Sequence, residues 1–151
     1  MKVAVALDAR WEMTQLARVP QIVTVREAEV LAVHVLDPGG REEWEHAARR
    51  HLLRSGPPRK GQERMHAVDH SEGERLLARA ATAMAGWGAA RVQTRLLEGR
   101  PKHEIHTLLE NDKVDVLVVF VHGQDAGPTS IGTEARFLID HAPCAVVVVK
   151  G

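Results

Sequence analysis

The segment VDVLVVFV, Val114–Val121, is apolar at every position except Asp115. It has no alternation of polar and apolar residues, and it is far too short to span a bilayer. A run of this kind predicts a strand buried on both faces, which occurs in parallel sheets covered by helices. Four further segments have strand character: Val3–Leu7, Val30–Leu36, Val92–Leu97 and Ala145–Val149. Helical patterns lie between them. Leu76, Leu77, Ala80 and Met84 form a stripe over Glu72–Ala85, which Gly86 and Gly88 are expected to end. Pro101 opens a second helix over Pro101–Asn111, with Ile105, Leu108 and Leu109 as its stripe. A third covers Thr133–His141, and Pro143 bars its continuation. Alternating strands and helices imply right-handed βαβ crossovers and an α/β fold.

Two segments read less simply. Ala9–Glu29 should hold the first crossover helix, but Pro20 and the β-branched Val23, Thr24 and Val25 predict a short, broken or displaced one. Gly39–Ser71 contains REEWEHAARRHLLR, with helical character, and then SGPPRKGQ. The latter, Ser55–Gln62, is expected to be a mobile basic loop and the first site of proteolysis.

The 151 residues fit one domain, 1–151, with room for a full core. Twenty basic and twenty acidic residues cancel, so no global field steers the chain to nucleic acid or anionic lipid. No apolar run has the length of a membrane span or of a signal peptide, and a cytoplasmic protein is expected. The one cysteine, Cys144, excludes an internal disulfide and is expected to be a buried, inert thiol.

Nine histidines raise the question of a metal. His66 and His70 are spaced i, i+4, and His103 and His106 i, i+3. No cysteine joins them and no HExxH is present, so solvated histidines and no metal site are expected. His34, inside the second strand, reads as a packed histidine. There is no Walker lysine, no convincing nucleophile–base pair and no acidic pair placed for Mg²⁺, so no catalytic residue is assigned.

The C-terminal run GTEARFLIDHAPCAVVVVK resembles the end of universal stress proteins, in which a Gly-Ser pair opens a helix that closes on HAPC before a valine-rich strand. Gly132-Thr133 stand at the pair, and His141, Ala142, Pro143 and Cys144 match letter for letter. LLEGRP, Leu96–Pro101, resembles the family's turn after the third strand. VAVALD and LAVHVLDP resemble its first two strands. The resemblance implies a five-stranded parallel sheet of order 3-2-1-4-5 flanked by helices, a Rossmann-like open sandwich. It also implies a ligand cleft where the order reverses. ATP-binding members hold adenosine there, which on this chain implies Asp8, Ala9, Val35, His122 and Gly123 at the nucleoside end, and Gly127, Gly132 and Thr133 around the phosphates. Asp8 has two readings: acceptor for a ribose hydroxyl, or cap of the turn after its strand.

The family's glycine loop is altered here. Gly123 and Gly132-Thr133 fit its ends, but Gly127 is one residue late and the span is four residues short. Asp125 lies in the loop and Glu134 just after it. Two like charges at about 4 Å repel by roughly 4 kcal/mol at an effective dielectric of 20. The expected ligand is therefore nucleoside-like or lightly charged, adenosine or AMP, with weak or absent ATP binding and Mg²⁺ only if ATP binds. Two alternatives stand beside this regulatory, stress-response reading: an ATP-binding member with slow ATPase activity, and a dimeric interaction module with a vestigial cleft and an unknown protein partner. The resemblance further implies a homodimer paired through Ala145–Val149, an apolar edge that needs covering.

Overall fold

In a computed structural model of the chain, residues 1–37, 59–121 and 133–151 are described, the side chains of 59–69 and of Thr133 excepted. Five parallel strands form one sheet of order β3-β2-β1-β4-β5. They are β1 (Lys2–Ala6), β2 (Glu29–Leu36), β3 (Arg91–Glu98), β4 (Val116–Val121) and β5 (Ala145–Lys150). Val5 sits opposite Ala32 on one side and Val118 on the other, which puts β1 at the centre. The order reverses between β1 and β4.

Burial follows position in the sheet. Val3, Ala4 and Val5 of β1 and Leu117 and Val118 of β4 are fully buried. No residue of β3 is buried, and on β5 only Val149 is. The reading of two-face burial therefore holds for the centre and fails at both edges, β3 and β5. The consecutive polar residues Gln93, Thr94 and Arg95 of β3 put polar side chains on both of its faces, as fits an exposed edge strand. Arg95 there donates to Asp112 Oδ2 at 2.6 Å.

The first crossover is broken, as Pro20 requires. It consists of α1 (Met13–Leu16) and α2 (Val19–Ile22), with Pro20 in the first turn of α2, where the missing N–H costs nothing. The next helix, α3 (Arg59–Met84), starts thirteen residues before the expected Glu72. Arg59–Gln62, expected to be loop, is thus its first turn, and only the remainder of that loop lies outside the described residues. The polar stretch from Arg59 to Ser71 has only Met65, Ala67 and Val68 as apolar residues, too few to show a stripe. The helix passes into one 3-10 turn, Ala85–Trp87. α4 (Pro101–Asn111) and α5 (Thr133–His141) have the expected bounds.

Two cores lie on the two faces of the sheet. Val3, Val5, Leu7, Trp11, Leu16, Val19, Leu77, Ala80 and Met84 join β1 to α1, α2 and α3. Ala4, Ile105, Leu109, Leu117 and Leu138 join it to α4 and α5. Each large side chain fully buried in them contributes about 1.5–3 kcal/mol. Cys144 is half-buried rather than buried, because it enters the edge strand β5. Burial pushes its thiol pKa up.

Candidate functional site

At the carboxyl ends of β1, β2 and β4 a cavity of about 310 Å³ opens on the α4–α5 face of the sheet. Its floor is mainly apolar: Ala6, Val33, Val35, Val119, Ile105 and Leu138. The strand reversal creates it, since crossovers from β1 and β4 leave to opposite sides of the sheet. Its volume is at the low end of the roughly 300–1,000 Å³ of small-molecule sites.

Asp8, Ala9 and Val35, singled out in the sequence, all line this cavity. His122, Gly123, Gly127 and Gly132 lie outside the described residues. Thr133 begins α5, with only its backbone described. The turn role of Asp8 is present: the Arg10 amide donates to Asp8 Oδ1 at 2.8 Å. His34 is a packed histidine. Its Nδ1 lies 2.7 Å from the Leu7 carbonyl, which requires Nδ1 to carry the proton.

Three residues were not assigned as ligand-binding from the sequence: Lys102 and Glu134, which line the cavity, and Asp37, which acts on Glu134 from just beyond β2. Lys102 stands in the first turn of α4. Gly99 fixes the approach to that helix. Its φ is 142°, and a Cβ there would lie 2.7 Å from Glu104 Oε1, so the turn admits only glycine. Lys102 Nζ lies 5.2 Å from the Phe137 ring centroid on α5, within cation–π range. A signal was present for Lys102: a cation in a first turn opposes the helix dipole, so it does not serve its own helix.

Glu134, in the first turn of α5, also lines the cavity. Its carboxyl pKa is pushed up. Desolvation is the largest cause, followed by Asp37; Lys102 acts in the opposite direction, and Asp8 adds a smaller upward push. Three carboxylates and one ammonium thus share one electrostatic neighbourhood, drawn from the ends of β1 and β2 and the starts of α4 and α5.

The histidine pair of α4 is otherwise engaged. His103 and His106 pack edge-on to Phe137, at 5.5 and 6.2 Å between centroids. His106 Nε2 lies 3.1 Å from the His141 carbonyl. Among the described residues no group of three or more His, Cys, Asp or Glu converges as metal ligands, and no helix is long and apolar enough to cross a membrane.

A relative from Thermus aquaticus, described as a universal stress protein, is 34% identical over 71 residues, 46% of this chain. The match spans about half of that relative's length, 52%. Among solved structures, the universal stress protein UspA from Lactobacillus plantarum superposes with a TM-score of 0.73 at 18% identity, covering 99% of this chain and 97% of its own. A universal stress protein family protein from Arabidopsis thaliana with AMP bound gives 0.64 at 19% identity, covering 99% and 91%. At such identities the likeness is one of fold. The sequence itself matches the universal stress protein family over residues 1–150. The chain belongs to the universal stress protein family.

Proposed function

We propose that this chain is a cytoplasmic, one-domain regulatory protein of the stress response, whose cavity takes a nucleoside-like ligand of low charge. The observation that carries the reading is the cavity's composition: an apolar floor at the strand reversal, with Asp8 and Glu134 in its lining, Asp37 acting on Glu134 from beyond the end of β2, and Lys102 as the one cation among the described lining residues. An adenine ring suits the floor of Val35, Ile105 and Leu138, and Asp8 accepts from a ribose hydroxyl. The AMP bound to the Arabidopsis thaliana relative supports an adenosine-type ligand. A triphosphate brings charge to a rim that is already anionic, so ATP binds weakly or undetectably, and Mg²⁺ enters only with it. Nothing in this arrangement supplies a nucleophile–base pair, and turnover of ATP is not expected.

Isothermal titration of the protein with adenosine, AMP and Mg-ATP tests this. Binding of adenosine or AMP with ATP much weaker is the expected result. Tight stoichiometric ATP binding overturns it, and ATP hydrolysis in a turnover assay favours the slow ATPase. The assembly belongs to the same proposal. β5 is an edge strand of apolar sequence AVVVV with only Val149 buried, and two copies pair antiparallel across it. Light scattering at micromolar concentration should give twice the 16.6 kDa chain mass.

A further inference from the structure

Resting on that ligand reading, we propose that Lys102 and Glu134 are the specificity-determining pair of the cavity. Lys102 receives one negative charge of the ligand, and Glu134, with Asp8 and Asp37 behind it, turns away any further charge. Both residues line the same cavity from the first turns of its two flanking helices, α4 and α5. Lys102 is half-buried, with its ammonium beside Phe137 of α5, so it is held on the cavity side of its helix by the helix that carries Glu134. A cation in that first turn costs its own helix a favourable dipole contact, and a ligand anion in the cavity returns one.

The acids set the limit. Asp37 and Asp8 both act on Glu134, from the ends of β2 and β1, and Lys102 is the cation that opposes them. The other titratable group of the lining, His34, is turned to the Leu7 carbonyl. On α5 itself Arg136, Asp140 and His141 follow Glu134. One ligand charge beside Lys102 meets a compensating ammonium. A second or third meets carboxylates whose field the partly desolvated rim does not fully screen.

The test is a ligand series of rising charge, titrated calorimetrically at constant ionic strength and pH 8: adenosine, cyclic AMP as a single fixed charge, AMP, and ATP without metal. For the wild type, affinity should be highest for adenosine or cyclic AMP and fall by about tenfold or more with each further step. Glu134→Gln should narrow the interval between cyclic AMP and ATP by about tenfold while adenosine stays within about twofold. Lys102→Gln should weaken cyclic AMP by about tenfold and spare adenosine, and Lys102→Arg should restore it. Lowering the pH towards 5 should strengthen cyclic AMP in the wild type but not in Glu134→Gln, since cyclic AMP itself does not titrate there. Adenosine binding with a series that the variants leave unchanged, or that they shift equally for every ligand, overturns the proposal and leaves the cavity reading intact. Failure of the wild type to bind adenosine and every other member of the series overturns both. Thermal melts of each variant identify any loss of fold.

Discussion

Along β1, Val3, Val5 and Leu7 point to α1, α2 and α3, whereas Ala4 and Ala6 point to α4 and α5. On the valine side the space beyond the strand end is filled. Trp11 lies there with Arg79 5.3 Å above its ring, beside Leu16 and Val19. α3 comes so close to the sheet that a Cβ on Gly73 would lie 2.9 Å from Leu96 Cδ1 and 3.3 Å from His34 Cδ2. On the alanine side the equivalent space is the 310 Å³ cavity, bounded by the small residues Ala6, Ala9 and Ala135. One strand, with alternating residue sizes, thus makes one face a sealed core and leaves a cavity on the other. The strand reversal permits a cleft, and side-chain volume decides which face keeps it open.

Five substitutions test that contrast, and the largest effect belongs to the sealed face. Met84 has no exposed surface, and Met84→Ala should cost about 2–5 kcal/mol in denaturant unfolding, with the ligand affinity of the folded protein unchanged. A cost below about 1 kcal/mol would mean that this face repacks freely and is not sealed. Gly73→Val should cost about 1–3 kcal/mol by overpacking against Leu96 and His34. Gly73→Ala should be near neutral, because a helix-propensity gain of up to about 1 kcal/mol offsets the shift of one leucine methyl.

On the cavity face the effect is expected to move from stability to binding. Ala135→Leu should change the unfolding free energy by less than about 1 kcal/mol and lower adenosine affinity by tenfold or more, about 1.4 kcal/mol. Equal loss of stability and affinity would show that the cavity is packed as tightly as the opposite core.

The smallest effect concerns Glu134. Its folded pKa is raised above that of the unfolded chain. The protonated form is therefore favoured by folding, and that stability is present at low pH and lost as pH rises through the folded pKa. Glu134→Gln should melt slightly higher than the wild type at pH 7–8, by less than about 1 kcal/mol, because the carboxyl remains partly solvated. The difference should vanish towards pH 4. A constant difference across that range would assign the effect to packing and not to charge.

The central strands were legible because valine and leucine runs report burial on both faces. The edge β3 was legible as a strand but not in its burial, since Val92, Leu96 and Leu97 resemble core positions until their place at the edge is known. α3 was legible only in its second half. Leu76, Leu77, Ala80 and Met84 form a stripe there, and the preceding thirteen residues do not. Asp8 was identified as either cap or acceptor, and the structure adds the Arg10 amide without removing the cavity. Lys102 is legible only through its position in the first turn of α4, against the helix dipole, since no motif of the sequence includes it.

What the sequence by itself determined is the kind and order of the elements and the family. Side-chain periodicity and turn chemistry act between residues a few positions apart, so consecutive letters carry them. What only the tertiary structure decided is that Asp8, Asp37 and Lys102 act electrostatically on Glu134, and that the alanine face of β1 carries the cavity. Those four residues leave the ends of two strands and enter the starts of two helices in separate crossovers. Their proximity comes from the parallel register of the sheet, and a charge's effect depends on distance and dielectric, neither of which local sequence encodes.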